Sequence, residues 1–215
     1  MLPATIPIFP LPNVVLFPNV FLPLHISEPR YREMVAYALE HDRLIGMTLL
    51  QPGFEASYEG RPAVYAVGCA GIITHAEHLP DGRYNIVLEG RFRYRVLQEA
   101  PPDPYRIASV EEIASVPLPT PEEAARVTRM ATRLFAAVAG QMELPPLPDG
   151  PLPAERLSSE IAVRLRYSAE ELQAILELDQ VGGRFGSLIS RMLEWQRRIQ
   201  FLAPFRPREL DVTRN

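Results

Sequence analysis

The chain has 215 residues, 47% hydrophobic and 22% charged, with a net charge of -4. That composition supports one substantial core or two small packed units, and it excludes both a disordered polyelectrolyte and a basic field that would draw in nucleic acid. No apolar run approaches the roughly 18 residues that span a bilayer, and the first residues lack the basic, apolar and small-residue sequence of a secretory leader, so a cytoplasmic location is expected.

Proline punctuates the start. Between Pro3 and Pro23, prolines separate three apolar pieces, Ile6 to Phe9, Val14 to Phe17 and Val20 to Leu24. Proline donates nothing to a ladder, so these predict edge strands and tight connections. Ser27-Glu28-Pro29-Arg30 predicts a helix start, with Ser27 as N-cap, Glu28 at the positive end of the dipole and Pro29 in the first turn. Tyr31, Met34, Tyr37 and Ala38 carry it at helical spacing to about Glu40.

From Arg43 to about Ser115 the texture is that of strands. Leu44 to Leu50 is one apolar run, and Val64, Tyr65, Val67 and Cys69 lead into Gly71-Ile72-Ile73-Thr74. Pro80-Asp81-Gly82-Arg83 predicts a hairpin turn, and Tyr84 to Leu88 the returning strand. Arg91 to Val96 alternates, which sets Phe92, Tyr94 and Val96 on one face and Arg91, Arg93 and Arg95 on the other. Tyr105 to Val110 closes the set. Short strands with glycine and proline turns predict a small barrel or rolled sheet.

After Pro117 the pattern turns helical. Thr120-Pro121-Glu122-Glu123 combines an N-cap, a first-turn proline and a capping-box glutamate. Val127, Met130, Leu134 and Val138 form one stripe, and Arg126, Arg129 and Arg133 another. Residues 144–153 hold five prolines and read as a linker. Further helices are expected from Ala154 to Arg166, from a capping box at Ser168-Ala169-Glu170-Glu171, and from near Arg184. The last has Leu188, Met192, Trp195, Ile199 and Leu202 as its stripe, and Pro204 and Pro207 stop it. The chain therefore divides into a β-rich part at 1–116, a helical part at 117–204 and a tail at 205–215, an α+β arrangement.

Three stretches resemble the substrate-binding N-terminal domain of the Lon protease family: Ile8-Phe9-Pro10-Leu11-Pro12-Asn13-Val14-Val15-Leu16-Phe17-Pro18, Leu24-His25-Ile26-Ser27-Glu28-Pro29-Arg30-Tyr31 and Gly82-Arg83-Tyr84-Asn85-Ile86-Val87-Leu88-Glu89-Gly90. Glu171 to Glu177 is the best match in the second half. The resemblance implies a PUA-like β barrel with one early helix, followed by a C-terminal helical bundle, in a free-standing module that recognises unfolded or extended polypeptide. A separate protease or chaperone is then the implied partner, as for an adaptor or holdase in bacterial protein quality control. Ser27 departs from relatives that carry a larger apolar residue there.

Enzymatic chemistry is not expected. All 22 basic side chains are arginine, which removes Schiff-base and lysine-base catalysis, the phosphate-cradling lysine of an ATP loop and the Ser-Lys dyad of Lon proteolysis. Cys69 is the single cysteine and reads as a buried small side chain. His75-Ala76-Glu77-His78 lacks the spacing of a zinc helix and reads as a polar hairpin end. Gly182-Gly183-Arg184-Phe185-Gly186 lacks the spacing and preceding strand of a phosphate loop. Neither a metal nor a cofactor is expected.

Two surfaces remain as candidates. Phe17, Phe21 and Leu22 are either core or the wall of an apolar groove for polypeptide, with Glu28, Arg30 and Tyr31 as its rim. Arg91, Arg93 and Arg95 read first as a solvated face paired with Glu89, Glu99 or Glu111. Phosphate contacts to RNA are the alternative, although nucleic acid is the less favoured partner for a chain of this charge.

Overall fold

A computed structural model describes residues 2–57, 60–101 and 104–202. Six strands come first: β1 (Thr5–Leu11), β2 (Phe21–Ile26), β3 (Leu44–Leu49), β4 (Val67–His78), β5 (Tyr84–Glu99) and β6 (Arg106–Ile113). Helix α1 (Pro29–Glu40) lies between β2 and β3, and α2 (Pro121–Met142), α3 (Ala154–Arg164), α4 (Ala169–Glu177) and α5 (Val181–Leu202) follow. The architecture is α+β, with a mixed sheet ordered β2-β5-β4-β3-β1-β6.

β5 organises the sheet. Along one edge it pairs with β4. Along the other, Tyr84 to Glu89 take β2, and Arg93 to Glu99 take β6. Because β6 also pairs with β1, the pairings run round a ring, β5-β4-β3-β1-β6, and β2 is left outside it as an edge. Register shifts at Ala70/Gly71, Ile73/His75 and Val96/Gln98 supply the local bends that such curvature needs. Tyr94 fills the interior and donates to the Met47 carbonyl at 3.1 Å. Gly68 leaves room for it, since a Cβ there would stand 2.6 Å from the Tyr94 hydroxyl.

Several expectations are corrected. β1 lies between β3 and β6 rather than at an edge, yet it tolerates Pro7 and Pro10. Thr5 to Ile8 pair with β6 and Ile8 to Leu11 with β3, so each proline sits where the strand has one neighbour. Val14 to Phe17 form no strand. Tyr84 to Leu88 and Arg91 to Val96 are one continuous strand. The N-cap of α1 is Glu28, not Ser27. In α2 the buried stripe is Ala131, Phe135 and Val138, while Met130 is exposed. Helix α3 ends at Arg164, and α5 begins at Val181, so the glycine-rich stretch is its first turn. The stop assigned to Pro204 and Pro207, the Leu202 side chain and the 205–215 tail lie outside the described residues.

The remaining helix signals act as local chemistry requires. Thr120 accepts from the Glu123 amide at 3.1 Å, a cap worth about 1 kcal/mol. Ser168 and Glu171 form the full reciprocal box. One cluster of buried side chains runs from Phe9 and Tyr31 through Ile86 and Leu88 to Phe135, Leu188 and Trp195, so sheet and helices share a core. Helix α5 is its centre in the second half, touching α2, α3 and α4.

Candidate functional site

β2 is where the sheet offers itself to solvent. Its register with β5 is unbroken from Phe21 opposite Glu89 to Ile26 opposite Tyr84. Just before it, the Val20 carbonyl accepts from the Gly90 amide at 2.9 Å. Strand alternation then turns the backbone groups of Leu22, Leu24 and Ile26 toward β5 and those of Phe21, Pro23 and His25 outward. Pro23 therefore loses no ladder bond. Among the described residues no strand pairs with that outer side.

The two ends of β2 differ in character. At the start, Phe21 is 54% exposed, with half-buried Leu22 and Leu24 following. At the far end a polar network gathers at the tip of the β4–β5 hairpin. The His25 ring lies 2.8 Å from Asn85 Oδ1 and 3.1 Å from Arg83 Nη1, and Asn85 donates to Glu77 at 2.8 Å. Asp81 accepts from Arg83, whose hydrogen bond and charge hold the carboxyl down at about 2. Beyond Ile26, Glu28 pairs with Arg30 at 2.9 Å, and that guanidinium sits 4.6 Å from the centroid of the Tyr31 ring.

The residues suggested as one groove are thus spread out. Phe17 is core, and a Cβ at Gly90 would run into its carbonyl, so the Val14-to-Val20 segment is pressed onto β5 at a glycine. Tyr31 is also core, tilted against Phe9 with ring centroids 4.3 Å apart. Five strand steps separate Phe21 from Ile26, about 17 Å at the usual rise, so Glu28 and Arg30 do not rim the surface that Phe21 presents. Phe21, Leu22, Glu28 and Arg30 keep accessible area, but only the first two belong to β2, and Arg30 lies in α1 beside Pro10, Leu50 and Pro62. Sequence reasoning placed Val20 to Leu24 in an edge strand, which β2 is; what it missed is the extension to His25 and Ile26 and the edge as a binding surface. The alternation of Leu22, Leu24 and Ile26 with Phe21, Pro23 and His25 carried the signal.

The arginine strand does not present three free guanidinium groups. Arg91 is exposed and paired with Glu89 at 2.8 Å, as the solvated reading expects. Arg95 is exposed. Arg93, however, is 1% exposed, because the α4–α5 connection lies over it: Asp179 accepts at 2.6 Å and the Glu177 carbonyl at 3.4 Å. Nearby, Arg184 is equally buried, bound to Ser115, Glu155 and the Leu178 carbonyl. Burial first, then the charge of Arg93, lowers its pKa. These cations hold the sheet to the helices and are closed to RNA phosphates.

The other motifs are structural. Burial pushes the Cys69 thiol far up, so no thiolate is available. His75 and His78 are exposed at the end of β4, with His78 stacked on Tyr84. Among the described residues no three His, Cys, Asp or Glu side chains cluster as metal ligands, and no helix is long and apolar enough to cross a membrane.

Solved structures of the same fold place this architecture among Lon N-terminal domains. The crystal structure of a Lon N-terminal domain protein from Xanthomonas campestris matches with a TM-score of 0.62 at 23% identity, over 86% of this chain and 97% of that one. The N-terminal domain of Mycobacterium avium complex Lon protease matches with a TM-score of 0.65 at 14% identity, over 90% and 98%. The family model of the ATP-dependent protease La (LON) substrate-binding domain matches residues 5–194, and the chain belongs to that family. Lon protease of Roseiflexus castenholzii is 30% identical over 92% of this chain and 25% of its own length. Lon protease 2 of Syntrophobacter fumaroxidans is 31% identical over 83% and 23%. The chain therefore spans about a quarter of the length of these relatives.

Proposed function

We propose that this chain is a non-catalytic polypeptide-binding module that takes up extended, apolar segments of client proteins by adding them as a strand to the outer edge of β2. Membership of the Lon substrate-binding family supports a role in substrate recognition. The observation that carries the rest is the unpaired edge from Phe21 to His25, apolar at one end and charged at the other. Main-chain hydrogen bonds to such an edge give affinity without sequence specificity, and Phe21, Leu22 and Leu24 offer apolar contact. The charged network of His25, Arg83 and Asp81 at the far end would bias the choice of client by charge. In this reading the ring of strands is the PUA-like barrel, the helices form the bundle that backs it, and the module works in the cytoplasm as an adaptor or holdase beside a separate protease or chaperone.

Fluorescence anisotropy of a labelled, permanently unfolded polypeptide, titrated with the full chain at low and high salt, tests this. Binding is expected to survive high salt, because apolar and main-chain contacts are little screened. Phe21→Ser removes the apolar anchor and Phe21→Pro the outward amide, and each is expected to weaken binding about tenfold, the effect of roughly 1.4 kcal/mol. Phe21 is exposed and its amide points away from β5, so both variants are expected to fold. Undiminished binding by the two variants would move the site elsewhere, and binding to RNA alone, lost in salt, would sink the reading.

A further inference from the structure

A second groove lies in the helical half. Helix α2, the proline-rich loop at 143–153 and the start of α3 enclose a trough of about 420 Å³ that opens to solvent, within the roughly 300–1,000 Å³ usual for ligand sites. Its two long walls differ. Arg129 and Arg133 stand on the α2 side with Thr128 and Thr132, while Leu147 and Leu152 come from the facing loop and Leu157 from α3. The loop is fixed from behind, since Arg164 donates to the Pro146 carbonyl at 2.9 Å and Arg166 to the Met142 carbonyl at 3.0 Å. The trough is therefore preformed.

Its charge is unmatched. Arg129 and Arg133 form no hydrogen bond or ion pair with any described residue, although Arg126 on the same helix reaches Glu123 at 3.8 Å. Most other arginines of the chain are tied to a carboxylate or a carbonyl. Among the described residues no carboxylate lines the trough. Asp149, between two lining residues of the loop, is exposed and bonds neither arginine. Two cations facing apolar side chains, without a partner anion, make a surface complementary to something both acidic and apolar.

Spacing narrows the ligand. Arg129 and Arg133 are four residues apart on a helix, about 6 Å along the axis. Side chains on one face of an extended peptide repeat every two residues, at about 6.6 Å. We infer that this groove binds an extended peptide in which acidic residues alternate with apolar ones, the carboxylates meeting Arg129 and Arg133 and the apolar side chains meeting Leu147 and Leu152. It is a site distinct from the β2 edge, and it adds a client class to the polypeptide-binding reading, on which it rests.

The test uses the full chain and a labelled peptide of alternating Leu and Asp. Comparators are the same peptide with Asn or Arg in place of Asp, inorganic phosphate as competitor, and single-stranded RNA. The Leu-Asp peptide is expected to bind saturably and at least about tenfold more tightly than its Asn counterpart, as two charge-assisted contacts imply. R129E/R133E is expected to lose that advantage. R95E/R197E, which makes the same change of charge at two other exposed arginines without a described ion pair, is expected to bind as the natural chain does. Leu152→Ser is expected to weaken binding while leaving the preference for Asp over Asn.

Equal loss in the two arginine variants would overturn the proposal in favour of unspecific attraction. So would displacement of the peptide by phosphate at comparable concentration, or RNA binding that R129E/R133E removes. Phe21→Ser separates the two sites. If it loses the unfolded polypeptide and keeps the Leu-Asp peptide, both readings stand. If the natural chain takes the Leu-Asp peptide but no unfolded polypeptide, the β2 reading falls and the groove remains.

Discussion

Arg106 presents both arms of its guanidinium to Glu99, at 2.7 Å each, and turns its third nitrogen to the Pro62 carbonyl at 2.9 Å. Arg61 adds a longer contact to the same carboxylate at 3.3 Å. Burial of Glu99 favours its neutral form, but the hydrogen bonds and charges of Arg106 and Arg61 outweigh it and leave the pKa below the usual value. A depressed folded-state pKa means that Glu99 stabilises the fold above the unfolded glutamate value, and that this contribution fades as pH falls through the folded value. Glu99→Gln is expected to cost about 2 kcal/mol at neutral pH, since it takes the countercharge and one of two acceptor oxygens from the buried Arg106. Urea unfolding of both proteins at pH 7 and in acid checks this: the gap between them should narrow on acidification. A gap independent of pH would assign the loss to packing alone.

At the scale of elements, the joint between the β-rich half and the helices rests on a few bonds across long sequence separations. Val116 donates to the Asp179 carbonyl at 2.8 Å, Val181 donates back to Val116 at 3.0 Å, and Gln173 reaches the Val67 carbonyl at 2.9 Å. Arg93 is the centre of this joint. Its ion pair is asymmetric, because the arginine is buried while Asp179 is 54% exposed. Loss of Asp179 strands a buried cation that already has two nitrogens without a hydrogen-bond partner. Loss of Arg93 leaves only a carboxylate that water can solvate. Asp179→Ala is therefore expected to destabilise by about 3 kcal/mol, and Arg93→Met, which keeps the volume, by distinctly less. Denaturant midpoints of the two variants decide it, and the reverse order would contradict this account of the joint.

That joint is also where the sequence stopped being legible. Signals that act within four residues were readable: the Thr120 and Ser168 caps, the Pro80-to-Arg83 turn with Gly82 at φ 83°, and the alternation of Arg91 to Val96. Alternation reports which residues share a face and not what covers that face. Arg93 therefore read as solvated, when a segment 86 residues away lies on it. The same limit misplaced β1, whose prolines are satisfied by a change of partner at Ile8, and split β5 at Gly90, where the Val14-to-Val20 segment crosses. Of the candidate groove, the sequence left Phe17, Phe21 and Leu22 open between core and exposed wall, and exposure of Phe21 with burial of Phe17 and Tyr31 depended on neighbours that no local pattern names. Gly90→Ala should show that crossing directly. The new Cβ meets backbone, so a loss of about 2 kcal/mol or more is expected from overpacking that cannot relax, measured as a lower thermal midpoint. A neutral substitution would mean that the segment is free to lift.

For the molecule as a whole, the shared core sets how it unfolds. The buried cluster that contains Phe9, Tyr31 and Ile86 also contains Phe135, Leu188 and Trp195, so the helices close their interior only against the sheet, while the ring of strands keeps a smaller cluster of its own around Tyr94, Ile6 and Ile8. Domains joined through a common core melt together, whereas units tied only by a surface contact separate. The chain carries its own pair of reporters, because it has one cysteine and one tryptophan. Cys69 is buried in β4 and reports the sheet, and Trp195 is buried in α5 and reports the helices. Across a urea titration, thiol labelling of Cys69 and the fluorescence of Trp195 are expected to change with one midpoint and one slope. In Asp179→Ala both curves should shift together, since the joint stabilises the two halves as one unit. A Trp195 transition at lower urea than Cys69 labelling would mean that the helices leave first. The sheet would then hold β2 and its edge without them, and client binding at Phe21 would survive the loss of the helical groove.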